Sequence, residues 1–142
     1  MSGRKLTSNE KTILETVFGD QIDLDIPRIY NNKYNILHPR NAVMAPDGNV
    51  YYPKGHWGYS SDISALSTSA RGLFVHEFAH VWQAQLHGKN VFSIKDSSPY
   101  SKNYRLDYDY RDAISGGFFN LNPEQQAQLL QDHSTGRYWI RR

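Results

Sequence analysis

The chain has 142 residues, a length that predicts one domain, spanning 1–142, folded around one core. Hydrophobic residues make up 39% of it and there are ten glycines, an apolar share that is usual for globular proteins and argues against intrinsic disorder. Sixteen Lys and Arg against fourteen Asp and Glu give a net charge of +2 with the signs interleaved, so we expect no nucleic acid partner. The absence of cysteine excludes disulfides, thiolate metal sites and Cys nucleophiles, so any metal site must use His, Asp and Glu.

The start of the chain, MSGRKLTSNE, carries basic residues with no apolar stretch after them, which is not the pattern of a secretory signal peptide. No run in the sequence approaches the roughly 18 apolar residues of a membrane-spanning helix. We therefore expect a protein that is cytoplasmic in the producing cell, does not insert into membranes, and is exported only by machinery that needs no signal peptide.

Three segments in the first half of the chain carry local structural signals. Thr7 and Glu10 have the spacing of a capping box, and apolar residues then recur at helical spacing up to Gly19. Alternation of apolar and acidic residues predicts a strand over Gln21–Tyr30. A second strand is predicted at Asn49–Tyr52, directly after a turn signal.

The second half begins with the strongest helical segment, which starts between Ile63 and Ser69 and runs to about Leu86, with Gly88 as its C-terminal signal. Two short strand-like segments follow it, at Val91–Ile94 and at Tyr104–Tyr110. A last helix is predicted from Asn122 at the N-cap and Pro123 at the first position through Gln131.

The long helix contains an H-E-x-x-H motif formed by His76, Glu77 and His80. Residues four apart on a helix differ by about 40° in direction and about 6 Å in height, so both imidazoles can reach one zinc ion. Glu77, beside the first ligand, can hold and deprotonate a zinc-bound water whose acidity the metal has raised. A His-Glu-His cluster within an apolar helix would be costly to bury without a metal or polar partners, which favours a catalytic zinc site.

A catalytic zinc site needs a third protein ligand from elsewhere in the chain. The metzincin spacing fails because Leu86 stands where another histidine is required. Two of the four glutamates lie in the first helix and one is the proposed base, which leaves Glu124 in the first turn of the last helix. A glutamate there also favours the positive end of the helix dipole without any metal. Glu124 is the preferred third ligand, and Asp132 and His133 are the alternatives.

Four segments resemble the Vgr-related zincin-like metallopeptidases associated with bacterial type VI secretion, and the similarity runs from Leu6 to about Asp132. The segments are residues 43–48, 73–83 (LFVHEFAHVWQ), 104–110 and 122–132 (NPEQQAQLLQD). The resemblance implies a toxic effector domain in which His76, His80 and Glu124 match the ligands and Glu77 matches the base. The chain departs from thermolysin-like gluzincins at Gln128, where an Asp would orient a ligand histidine, so the groups behind the histidines are unassigned.

A peptidase also needs a group that stabilises the oxyanion and a surface that holds the substrate. The oxyanion candidates are Tyr108, Tyr110 and His133. Zincins commonly bind substrate along an edge strand before the active-site helix, and the strand at Asn49–Tyr52 is the candidate here. Cleft-lining candidates in the following loop are His56, Trp57 and Tyr59. The histidines expected at the surface are His38 and His87.

Together these features predict a single α+β domain with a zincin-like fold, in which the active-site helix packs on a small, mainly antiparallel sheet. The expected function is that of a zinc metallopeptidase, an antibacterial toxin delivered by a type VI secretion system. Cell-wall peptide or amide hydrolysis is one alternative, and a noncatalytic accessory of the secretion machinery, stabilised by zinc, is another. The expected partners are a protein or peptide substrate, a Vgr-type spike protein and a cognate immunity protein.

Overall fold

The computed structural model describes residues 3–88 and 109–136. In this part the chain forms three α-helices, α1 (Ser8–Phe18), α2 (Thr68–His87) and α3 (Pro123–Thr135), and two strands, β1 (Ile29–Tyr30) and β2 (Val50–Tyr51). Short 3₁₀ turns lie at Ile63–Ala65, Ala113–Gly116 and Phe118–Asn120. The strand predicted at Val91–Ile94 and most of the one predicted at Tyr104–Tyr110 lie outside the described residues.

All three predicted helices are confirmed, each with a side-chain cap at its start. In the capping box of α1, the Thr7 hydroxyl accepts from the Glu10 N–H, and the Glu10 carboxylate accepts from the Thr7 N–H. Ser67 caps the start of α2, whose last residue precedes Gly88. A second capping box, formed by Asn122 and Gln125, begins α3, which runs one turn beyond the predicted end. Side-chain caps supply partners for backbone N–H groups that the first turn of a helix cannot satisfy.

The strands β1 and β2 pair in parallel, with Ile29 opposite Val50 and Tyr30 opposite Tyr51. Antiparallel pairing occurs only as two isolated bridges in the described residues, Arg4 with Ile29 and Met44 with Tyr51. The prediction of a mainly antiparallel sheet is therefore wrong for β1 and β2, the two strands in the described part of the chain. The 19 residues between β1 and β2 form a return connection of the length that parallel pairing requires.

The strand predicted over Gln21–Tyr30 is confirmed only at its last two residues. The Asp23 carboxylate accepts from the Asp25 N–H, a local bond that turns the chain. The Gln85 side chain of α2 bonds both the N–H and the C=O of Asp23, so these backbone groups are not available to a neighbouring strand. The alternation of apolar and acidic residues in this segment therefore belongs to a turn at Asp23, which Gln85 of α2 holds by hydrogen bonds.

Helix α2 lies at the centre of the core and is buried along most of its length, where it contacts α1, β2 and, most extensively, α3. Phe74, Phe78 and Val81 have no exposed surface, and the aromatic rings of Phe74 and Phe78 pack 4.7 Å apart. Burial of such side chains contributes about 1.5–3 kcal/mol each relative to full exposure. No described helix is both long and apolar enough to cross a membrane. Helix α2 also buries four polar residues, which are His76, Glu77, His80 and Gln83.

Candidate metal centre

Helices α2 and α3 bring three side chains of the sequence prediction together. His76 and His80 lie one turn apart on α2, and Glu124 lies in the first turn of α3. Glu124 Oε1 is 3.3 Å from His76 Nε2 and 2.6 Å from His80 Nε2. Within residues 3–88 and 109–136, this is the one group of three or more His, Asp or Glu side chains whose ligand atoms all lie within 4.8 Å of one another.

The three side chains fit a zinc ion in distance and in chemistry. Ligand atoms bound at about 2.1 Å in a tetrahedron lie about 3.4 Å apart, and the His76–Glu124 separation is 3.3 Å. The 2.6 Å between His80 and Glu124 reaches the same value after a relaxation of under about 1 Å. Two imidazole nitrogens and a carboxylate oxygen form a donor set that zinc binds, and one tetrahedral position is left for water or substrate.

The ionisable groups of His80 and Glu124 strongly shift each other's pKa. Burial acts to lower the pKa of His80, but the adjacent Glu124 carboxylate outweighs burial and raises that pKa to about 9. Burial acts to raise the pKa of Glu124, but His80 and His76 hold it well below its usual range. Glu124 is thus kept ionised at a largely covered position, which is the state that a metal ligand requires.

Glu77 occupies the buried position next to His76 on α2, with 6% of its surface exposed. Burial raises the pKa of its carboxyl group, the two neighbouring histidines oppose that rise, and Glu124 adds to it. A raised pKa brings the carboxylate closer to the value at which it accepts and returns a proton efficiently near neutral pH. The position and the electrostatics of Glu77 both suit a general base.

Two glutamines that the sequence prediction missed lie behind the histidines. Gln131 Oε1 is 2.9 Å from His76 Nδ1, and Gln83 Oε1 is 2.9 Å from His80 Nδ1. A signal for Gln83 was present in the sequence, because it follows His80 by three residues and so shares its helix face. Gln131 follows Glu124 by seven residues, which also places both on one face of α3.

The alternatives to Glu124 lie elsewhere. Asp132 is buried, but its carboxylate accepts from the Tyr110 hydroxyl at 2.7 Å and from the Gln128 amide at 3.0 Å. His133 is exposed near the end of α3 and is not part of the three-residue group. Tyr110 therefore directs its hydroxyl proton at Asp132, and the other tyrosine candidate, Tyr108, lies outside the described residues.

The segment predicted to bind substrate as an edge strand is not an edge. Val50 and Tyr52 donate their N–H groups to the β1 segment on one side, and Tyr51 exchanges two hydrogen bonds with Met44 on the other. Because both sides of β2 are already paired, it cannot add a substrate strand without losing one of these partners. The prediction that Asn49–Tyr52 is an edge strand is therefore wrong. A strand is present at Val50–Tyr51, and substrate binding by this segment stays a prediction.

The remaining candidates are placed as follows. In the loop after β2, the His56 ring stacks on Trp57, which is 61% exposed, and Tyr59 accepts a hydrogen bond from Arg4. His87 is exposed, as predicted. His38 is only 2% exposed, so the prediction of a surface histidine is wrong there.

No family model matches this chain, but one curated protein and one solved structure are similar to it along most of its length. It is 34% identical over 134 residues to the type VI secretion system spike protein VgrG2b of Pseudomonas aeruginosa, and the alignment covers 93% of this chain and 13% of that protein. The solved structure of the effector domain of VgrG2b matches with a TM-score of 0.78 and 32% identity, over 94% of this chain and 74% of that one. The chain belongs to the VgrG2b effector-domain family.

Membership of the VgrG2b effector-domain family confirms the type VI secretion effector part of the resemblance found in the sequence. The likeness extends across the residues of both α2 and α3, since nearly the whole chain is aligned. The VgrG2b spike protein is much longer than this chain, which spans 13% of its length.

Proposed function

We propose that this member of the VgrG2b effector-domain family is a zinc metallopeptidase delivered by a type VI secretion system. The observation that carries the proposal is the convergence of His76, His80 and Glu124 from two helices, with Glu77 between the histidines in sequence. A Vgr-type spike protein as carrier and a cognate immunity protein in the producing cell belong to the same proposal.

His76, His80 and Glu124 would hold the metal, and Glu77 would handle the proton. Zinc held there would supply Lewis acidity for the activation of water and the polarisation of the scissile amide carbonyl. The Glu77 carboxylate accepts the proton of the attacking water and returns it to the leaving amine nitrogen, so that the base is regenerated. The apolar side chains around α2 limit the access of bulk water to this exchange and strengthen its electrostatics.

The metal assignment is tested by measuring the zinc content of the purified chain. We expect about one zinc per chain in the wild type, as for a single tetrahedral site. Glu124→Ala should lose most of the bound zinc because only two protein ligands remain. Glu15→Ala removes an exposed glutamate of α1 and is the matched control, which should keep its zinc. A wild-type chain without zinc affinity, or a Glu124→Ala variant that binds as tightly as the control, contradicts the proposal.

The role of Glu77 is tested with Glu77→Gln, which keeps the shape of the side chain but cannot accept a proton. We expect unchanged zinc content and a loss of hydrolysis by on the order of 10² to 10⁴, the usual contribution of a positioned general base. Protein substrates and cell-wall peptide fragments should be assayed in parallel. Cleavage of the fragments alone would replace the peptidase with a cell-wall hydrolase, and wild-type rates in the variant would exclude Glu77 as the base.

The effector role is tested by expression in a susceptible bacterium, directed in turn to the cytoplasm and to the periplasm. We expect the wild type to be toxic in at least one compartment, and His76→Ala and Glu77→Ala to be harmless because hydrolysis is lost. His87→Ala changes an exposed histidine at the end of α2 and should remain toxic. Equal toxicity of all variants would contradict a hydrolytic toxin. Harmlessness of the wild type in both compartments would favour a noncatalytic accessory.

A further inference from the structure

We propose that Gln83 and Gln131 are positioning residues of the metal centre, with unequal roles. Gln131 orients His76 only, whereas Gln83 orients His80 and also fixes the start of the helix that carries Glu124. The inference rests on the proposed zinc site, and it predicts that the same substitution, Gln to Glu, has opposite effects at the two positions.

Gln83 is fully engaged by its surroundings. Its side chain is 1% exposed, and its Oε1 lies 2.9 Å from His80 Nδ1. Its Nε2 donates to the Pro123 carbonyl at 3.0 Å and to Gln126 Oε1 at 2.8 Å. An amide has one acceptor oxygen and two N–H donors, so all three functions are used. Gln126 in turn donates to the Phe118 carbonyl at 3.3 Å, which continues the chain of hydrogen bonds.

The hydrogen bonds of Gln83 have two consequences for the ligands. An amide oxygen can only accept, so the proton of the neutral His80 ring must be on Nδ1, and the lone pair of Nε2 then faces Glu124. Pro123 directly precedes Glu124 in the chain, so its carbonyl anchors the first turn of α3 at the same point. One side chain therefore sets both the ring tautomer on α2 and the position of the carboxylate ligand on α3.

Gln131 is engaged on one side only. Its Oε1 is 2.9 Å from His76 Nδ1, and within the described residues this is the one hydrogen bond that its side chain makes. Because that oxygen accepts, it places the proton of the neutral His76 ring on Nδ1 and the lone pair on Nε2, the atom that lies 3.3 Å from Glu124. The Gln131 side chain is half-buried on α3, two turns after Glu124.

A carboxylate in place of either amide distinguishes the two roles. A histidine ligand that donates to a carboxylate is a stronger base, and metal binding is strengthened. At position 131 the change removes no other hydrogen bond of the side chain among the described residues. At position 83 the added oxygen would face the lone pairs of the Pro123 carbonyl and of Gln126 Oε1, and two hydrogen bonds would be lost in a buried place. Gln131→Glu should therefore tighten zinc binding, and Gln83→Glu should weaken it.

The experiment measures the zinc dissociation constant of the full chain by competition with a chromogenic chelator. Gln131→Met and Gln83→Met, which keep side-chain length but remove the hydrogen bond, should each bind zinc about 10- to 100-fold more weakly. Gln131→Glu should bind more tightly than wild type, and Gln83→Glu about 10- to 100-fold more weakly. The absorption spectrum of the Co²⁺-loaded chain should change in the same variants.

Matched controls come from the same two helices. Gln85→Met on α2 removes two hydrogen bonds to Asp23, and Gln128→Met on α3 removes one to Asp132, both away from the histidine rings. The controls should lower thermal stability without changing the zinc dissociation constant. If a Gln83 variant does not fold, as judged by circular dichroism, the Gln131 variants decide the matter alone.

The outcomes separate this inference from the proposed function. A wild-type chain that binds no zinc overturns both. A wild-type chain that binds zinc, with Gln131→Met binding as tightly as Gln128→Met, overturns the positioning role and leaves the metal centre in place. If Gln131→Glu and Gln83→Glu change the zinc dissociation constant in the same direction, the proposal that the two glutamines have unequal roles is wrong. The expected opposite shifts, with unchanged controls, support the proposal.

Discussion

At the scale of single residues, Glu10 joins three parts of the fold. It has no exposed surface, and both of its carboxylate oxygens are 2.8 Å from the Arg4 guanidinium nitrogens. The N–H of Thr7 donates to it at 2.9 Å and that of Ile63 at 2.7 Å. Paired, bidentate geometry of this kind compensates for the cost of burying a charge.

Arg4→Met should destabilise the chain by about 3 kcal/mol, because Glu10 would be left as a buried charge without its counter-ion. The free energy of unfolding in urea at neutral pH measures this loss. Lys11→Met is the matched control, since its partner Asp25 has a largely exposed side chain, and screening by water makes such pairs weak. Equal losses in the two variants would show that the Arg4–Glu10 pair is no more important than a surface pair.

The histidines show why some residues of the site were predictable and others were not. His76 and His80 were found because four-residue spacing alone places two rings on one helix face. His38 was assigned to the surface, yet its ring accepts from the Tyr34 N–H at 2.8 Å and bonds the Ala42 carbonyl at 2.6 Å. Those partners are backbone groups of an irregular loop, and no side-chain pattern in the sequence signals them.

At the scale of elements, the approach of α2 to α3 depends on Gly72, a buried position inside α2. A methyl group added there would lie 2.7 Å from Cγ2 of Thr135 and 3.3 Å from Cγ of Gln131. Contacts of 2.7 Å between carbon atoms are not tolerated in packed interiors, so the Thr135 side chain or the end of α3 would have to shift. Gly72 thus permits a close approach of α3 next to Gln131, the residue that contacts His76.

Gly72→Ala should destabilise the chain by about 1–3 kcal/mol through this overpacking. In an exposed helix interior the same change stabilises by up to about 1 kcal/mol, so the sign is diagnostic. Urea unfolding measures the effect, and Ser69→Ala, an exposed position one turn earlier, is the control that should change little. A Gly72→Ala chain as stable as the wild type would mean that α3 does not pack as closely as described.

The helices were predictable and the sheet was not, for physical reasons. Helix ends are specified by side chains within a few residues, as in the capping boxes at Thr7 and Asn122. Strand pairing depends on partners distant in sequence, and the alternation over Gln21–Tyr30 could not reveal that Gln85 occupies the backbone of Asp23. The parallel direction of β1 and β2 was hidden for the same reason.

At the scale of the whole molecule, the proposed zinc would join elements that are far apart in the chain. His76 and His80 on α2 and Glu124 on α3 are separated by more than 40 residues, and α3 packs chiefly on α2. A ligand that binds only the folded arrangement stabilises it by mass action. Without zinc, the described contacts between the two helices are the ion pair of His80 with Glu124, the hydrogen bonds of Gln83 and Gln131, and apolar packing.

Removal of zinc should therefore lower the melting temperature of the chain. At free zinc 100 times the dissociation constant, the expected stabilisation is about 2.7 kcal/mol, which corresponds to on the order of 10 °C in Tm. Thermal unfolding after chelation and after zinc is restored measures the difference. Magnesium should not substitute, because it prefers oxygen ligands in an octahedron. Glu124→Ala should abolish the zinc-dependent rise because the carboxylate is the only ligand from α3 among the described residues. Equal melting temperatures for the chelated and zinc-restored wild type would exclude a metal that bridges α2 and α3.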